Sequence, residues 1–241
     1  MFLDKFFSSP SYSNNKEAIK DLKRVSGMAG TSNNEIKMKR ILEKVEGYID
    51  DLHDHELAYW LGIAWRNYTT WYVRGDGRKE PLKKAVKYFN KAFELSKDSV
   101  PNNTDSKSLD RLGIASELGN LLVNEAIIRD LDRAEEVLGF VYQNTNKYKP
   151  CLCAYADLFY KKKEYKKCVE IGEKIYDREL GLTFEETPPA IKKIIGKARR
   201  KLAKQAKKEG GNEESIKHFR RIKDLGVATD NDLKILNKLQ N

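Results

Sequence analysis

The chain has 241 residues, 40% of them hydrophobic and 34% charged, which is enough apolar material for a packed core and excludes compositional disorder. Six prolines, abundant Lys, Glu, Leu and Ala, and few β-branched runs exclude a β-rich architecture and predict an all-α chain. The formal net charge is +10, yet nine basic residues and no acidic one fall between Lys192 and Lys208, and without that stretch the formal charge is +1.

No apolar run approaches the roughly 18 residues of a membrane span. Met1–Phe7 is too short and too charged for a signal-peptide core, so a cytoplasmic location is expected. Cys151, Cys153 and Cys168 are an odd set with two members one residue apart, and read as reduced, buried small residues rather than a disulfide framework. The glycosylation-type triplets at Asn67 and Asn102 have no secretory route to act through.

In chain order, residues 1–15 read as a loosely docked lead or, alternatively, as one in which Phe2, Leu3, Phe6 and Phe7 cap a helical face, in preference to touching a membrane surface. A helix over 16–25 stops at Gly27 and Gly30, and Thr31-Ser32-Asn33-Asn34 with Glu35 opens a second that runs to about Asp50 with Ile41, Leu42, Val45 and Ile49 inward. From His55 to Tyr72, Leu57, Ala58, Leu61, Ala64, Trp65, Tyr68 and Trp71 predict a helix with a broad buried face. Arg74–Arg78 is a turn, and Pro81 opens the partner helix. Further pairs follow over 109–124 and 131–142, over Cys151–Tyr176 around a polar turn at 161–164, and over 190–208 and 212–225 around Gly210-Gly211. Thr229-Asp230-Asn231-Asp232 caps a closing helix with Leu233, Leu236 and Leu239 inward.

The second helices of four pairs repeat one face: Ala85-Phe89-Ala92, Ala134-Leu138-Val141, Cys168-Gly172-Ile175 and Ser215-Phe219-Ile222. The first helices give Leu61-Gly62-Trp65, Leu118-Gly119-Leu122, Tyr155-Ala156-Phe159 and Leu202-Ala203-Ala206, where a small residue lets two helices approach closely. Ala134 to Cys168 spans 34 positions, and Ala156 to Cys168 and Ala203 to Ser215 span 12 each. In these features the chain resembles the tetratricopeptide repeat (TPR) proteins over about 55–225, with departures. Gly62 to Ala85 is 23 positions and Gly119 to Ala134 is 15, and Ala58, Ala115, Leu152 and Arg199 stand where the family often has Trp. The alternative is an irregular helical bundle. The resemblance implies a right-handed superhelix of antiparallel helix pairs: a 1–54 lead with packing helices, a 55–225 repeat array and a 226–241 capping helix. It also implies a concave groove lined by first helices that holds a peptide or a partner's helix.

On the helix over 190–208, Ile191, Ile195, Ala198 and Leu202 form one stripe, with Lys193, Lys197, Arg200, Lys201, Lys204 and Lys207 on the other side. In the family's register Lys197, Arg200, Lys204 and Lys207 face the groove. A run of charges also reads as a plain solvated face, and that alternative stays open; against it, a helix built only for solubility interleaves Glu at i,i+4, and this one has none. The expected partner is therefore an acidic peptide or protein segment, and the expected role a non-catalytic interaction module or scaffold. The carboxylate clamp of some family members is not expected, because Ala154 and Asp157 occupy the partner positions. Nonspecific binding of nucleic-acid phosphates is the second reading, weakened by the lack of any aromatic between Ala190 and Gly211. A structural subunit docking through the 55–72 helix is the third. Asp50–Glu56 has metal-ligand chemistry, with Asp51 and His55 one turn apart, but no second cluster, and His218 reads as a lone groove or surface residue. No phosphate loop, nucleophile elbow or carboxylate pair stands out, so neither catalysis nor a cofactor is expected.

Overall fold

The computed structural model of the protein describes residues 12–28, 31–49, 52–98, 110–144, 149–177 and 189–240. The expectations for Phe2 to Phe7, Gly30, Asp50, Asp51 and Asn102 lie outside these residues. Among the described residues there are eleven α-helices and no strand. The chain divides into two compact units within and just after the fifth helix: Leu121 and Glu125–Ile128 still belong to the first, Leu122–Asn124 and residues from Arg129 onward to the second.

In the first unit, α1 (Asn15–Ser26) starts on a reciprocal cap. The Asn14 side chain accepts the Glu17 N–H at 3.1 Å, and the Glu17 carboxylate accepts the Ser13 N–H at 3.2 Å. α2 (Ser32–Tyr48) begins at its Thr31 cap, within the expected Thr31–Asn34 stretch, and buries Met38 beside the expected Ile41, Leu42 and Val45. Ile49 lies past the helix end and is only half-buried, because the α2 backbone turns extended there. α3 (His55–Tyr72) has the expected bounds; Asp54 caps it by accepting the N–H groups of Glu56 and Leu57. Its buried face is broad because α1, α2 and α4 (Lys79–Leu95) all pack on it, although Trp71, at its last turn, is half-exposed. Gly62 is required by this packing, since a Cβ there would lie 2.8 Å from the Phe89 ring. α4 opens two residues before Pro81, which sits in the first turn where its missing N–H has no helical partner to lose. Gly75–Arg78 is a single 3-10 turn, tied by Arg78 to Glu125 at 2.9 Å. α5 (Arg111–Asn124) follows, capped by Asp110.

The second unit holds α6 (Leu131–Asn144), α7 (Lys149–Lys161), α8 (Tyr165–Asp177), α9 (Pro189–Lys208), α10 (Asn212–Asp224) and α11 (Asp230–Gln240). Each packs on the next in sequence, and α7 also touches α9. All twelve residues of the repeated second-helix face are buried, in both units. Three turns share one hydrogen-bonding plan. After α7, Glu164 N–H reaches Phe159 O and Lys163 N–H reaches Tyr160 O; after α9 and α10 the same bonds form around Gly210 and Gly226. The central residue is left-handed in each, with φ of 64° at Lys163, 80° at Gly210 and 70° at Gly226. The closing helix completes the unit through Leu236 and Leu239, which join Ala203, Phe219 and Ile222, while Leu233 stays half-buried.

Candidate functional site

α9 carries the candidate site, and its faces have different fates. Ile191, Ile195, Ala198 and Leu202 are all buried, as their spacing predicts. Arg199 leaves on the flank that meets α8 and α10. Its guanidinium donates to Glu173 of α8 at 2.9 and 3.0 Å, and Arg221 of α10 donates to the same carboxylate. Burial pushes the Glu173 carboxyl up, and the hydrogen bonds from Arg221 and Arg199 more than offset it, leaving it below the ordinary glutamate value. Arg199 also donates to Nδ1 of His218 at 3.2 Å. A guanidinium has no acceptor atom, so this bond fixes His218 as the neutral tautomer with its proton on Nε2, facing Glu214. Burial first, then the Arg199 charge, holds the His218 pKa down. His218 is thus part of an internal network rather than a lone surface residue.

Arg200 is a fastening and not a free cation. It donates through Nε to both oxygens of Asp232 and through Nη2 to the Val227 carbonyl. Asp232 is itself buried and reciprocally capped with Thr229, accepting its N–H at 2.8 Å while Thr229 Oγ1 accepts the Asp232 N–H at 3.3 Å. The sequence placed Arg200 among the binding residues because its helical position is in the stripe; its side chain bends out of the stripe to reach α11.

The other five predicted residues, Lys193, Lys197, Lys201, Lys204 and Lys207, are exposed, and Lys208 continues them. Among the described residues none of the six meets a carboxylate. Some lysines nearby differ: Lys162, just after α7, bonds to Asp132 and Glu135, and on α8 Lys167 bonds to Glu135 and Lys174 to Glu170, while Lys166 of α8 is exposed like those of α9. Lys207 and Lys208 have a local reason to be cationic, since they lie in the last turn where the helix dipole is negative. Lys193 to Lys204 have none. Ala154 is buried and Asp157 pairs with Lys161 at 2.5 Å, so the preceding first helix offers no amide to a carboxylate ligand.

A groove of about 440 Å³ lies among α8, α9 and α10, on the opposite side of α9 from the lysines. Leu202, Val169 and Ala206 form its apolar lining, and Glu170, Glu209 and Glu214 outnumber the cationic Lys166. None of the six predicted basic residues borders it, and its charge disfavours an acidic ligand. Among the described residues no three His, Cys, Asp or Glu side chains gather to hold a metal ion. The three cysteines are buried, with the Cys153 thiol pushed up to about 11 and Cys168 up to about 12 by desolvation, so they are poor nucleophiles. Among the described residues no helix is long and apolar enough to cross a membrane. No protein-family model matches the chain. No curated protein matches it either.

Proposed function

We propose that the protein is a non-catalytic, TPR-like interaction module that takes an acidic peptide or protein segment on the exposed lysine face of α9. The observation that carries this reading is that Lys193, Lys197, Lys201 and Lys204 project into solvent and, among the described residues, meet no carboxylate, on a helix that has no acidic residue of its own. Four like charges at 3- and 4-residue spacing repel one another, by a few tenths of a kcal/mol per pair on a helix surface. A sequence that retains them without interleaved Glu forgoes stability for which an anionic ligand is the natural compensation. With Arg200 committed to Asp232, the ligand-binding set reduces to the lysines. A TPR-like register supports the same reading, with Lys197, Lys204 and Lys207 at the groove-facing positions of that family.

The test is fluorescence anisotropy with a labelled oligo-glutamate peptide, with a duplex RNA as competitor. The expected result is saturable binding that weakens by about tenfold in Lys197→Glu/Lys204→Glu. Binding of RNA in preference to the peptide, with the same loss on substitution, would move the assignment to nucleic acid. Equal binding by wild type and variant would remove α9 from the site.

A further inference from the structure

A second surface, in the first unit, combines an exposed apolar side chain with a row of cations. Ile36 on α2 is 62% exposed, more than any other large hydrophobic side chain among the described residues. It stands at the rim of a groove of about 540 Å³ between α1 and α2, floored by Ile41 and edged by Lys37, Arg40 and Lys44, with Arg24 facing them from α1. Lys37, Arg40 and Lys44 follow i, i+3, i+7 spacing and so form one row about 10 Å long on a single face of α2. Among the described residues the groove's lining has one carboxylate, Asp21, and it is already used: it accepts the Tyr12 hydroxyl at 3.0 Å and an Arg24 N–H at 2.7 Å. Lys44 lies 4.2 Å from the Tyr12 ring centroid. Among the described residues Lys37 and Arg40 are exposed and meet no carboxylate. Glu35 and Glu43 fall on other sides of the helix, since 100° per residue carries them out of the row.

We infer that this groove is a docking site for an acidic amphipathic helix, distinct from the α9 face and independent of the reading given to it. Charge complementarity selects the class of partner. Three cations at helical spacing match carboxylates at the same spacing on a helix laid along α2, and an apolar side chain between those carboxylates covers Ile36 and enters the groove. Neither component is sufficient alone: exposed ion pairs contribute little, and a single isoleucine buries too little area to hold a partner. Their combination gives a small contact of the transient class.

The probe is a fluorescein-labelled peptide of about 15 residues, long enough for measurable helicity, with Glu at i, i+3 and i+7 and one Leu between them. Its partner probe carries Ser for that Leu. Anisotropy titration of the full chain is expected to show the Leu probe binding several-fold tighter than the Ser probe. The preference is expected to vanish in Ile36→Ser, and affinity to fall about tenfold in Lys37→Glu/Arg40→Glu. Lys197→Glu/Lys204→Glu is expected to leave the preference for the Leu probe over the Ser probe unchanged, which separates the result from failure or success at α9. All substituted positions are exposed, and an unaltered thermal transition confirms folding. Equal binding of the Leu and Ser probes, or no effect of Lys37→Glu/Arg40→Glu, would overturn the inference. So would a dimer of the full chain that dissociates on Lys37→Glu/Arg40→Glu, because the face would then belong to a second copy.

Discussion

The two arginines and the lysines of α9 are adjacent in sequence and opposite in circumstance. Arg199 and Arg200 each end on a carboxylate supplied by another helix, Glu173 from α8 and Asp232 from α11, while Lys193, Lys197, Lys201 and Lys204 end in solvent. The division follows the chemistry of the side chains. A planar guanidinium presents several donors in a fixed fork and serves two acceptors at once, as Arg200 does with Asp232 and the Val227 carbonyl. An ammonium on a flexible stem keeps its hydration and suits an exposed, adaptable contact. A segment's net charge therefore overstates its binding surface by the cations that fasten the fold.

The sharpest way to break the contrast is at Glu173, whose carboxylate balances two guanidiniums in a largely buried position. Glu173→Gln leaves Arg199 and Arg221 with a neutral acceptor and is expected to cost roughly 2–3 kcal/mol, read from urea unfolding at neutral pH. The pH dependence has a definite sign. The folded carboxyl lies below its ordinary value of 4.5, so its stabilisation is complete above that value and is lost as the pH falls through the lower folded one. Between those limits the wild type is expected to lose stability faster than Glu173→Gln as acid is added. Parallel pH profiles would show that the charge of Glu173 does not hold the hub together.

How much of this was legible beforehand depends on the range of the interaction. Helix bounds were readable because breaks and periodicity are local: the apolar spacing from His55 marks the start of α3, and Gly210-Gly211 marks the end of α9. The repeated Ala-x₃-Phe-type face was readable because burial follows helical spacing, and its twelve positions are all buried. At the Lys163 turn the sequence shows only polarity, since nothing in a Lys announces a left-handed residue where Gly is the usual choice. The fate of Arg200 was not readable, because its partner stands 32 positions away and helical angle alone puts it with the lysines. One signal was present: Thr229 and Asp232 match a capping box, and a buried capping carboxylate calls for a cation. The α1–α2 groove is not legible in the sequence, because its lining comes from two separate helices that only the fold brings together.

A smaller effect is expected at the α11 fastening. Burial raises the Asp232 carboxyl, but hydrogen bonds from Arg200 and Thr229 hold it below its ordinary value. Asp232→Asn keeps acceptance from the Thr229 N–H and loses the charge, so a cost of about 1 kcal/mol is expected. Because Arg200 and Asp232 act as one unit, the double variant Arg200→Gln/Asp232→Asn is expected to cost little more than either single change. Full additivity in that cycle would return Arg200 to the solvent-facing set and restore it as a ligand residue.

The smallest effect carries the sign that matters most for function. Lys197→Gln/Lys201→Gln/Lys204→Gln removes three cations without changing helix propensity appreciably, since Lys and Gln rank together. If those lysines supported the fold, removing them would lower the unfolding midpoint. If they are held for an anionic ligand, removing them relieves repulsion among neighbours at i,i+4 and raises stability by a few tenths of a kcal/mol. The rise is expected at low salt and should disappear near 1 M salt, where the screening length shrinks to about 3 Å. The same variant is expected to lose the oligo-glutamate probe, so that one set of side chains costs stability and supplies binding. A fall in stability at low salt would instead place these lysines with Arg199 and Arg200, as part of what holds α9 in position.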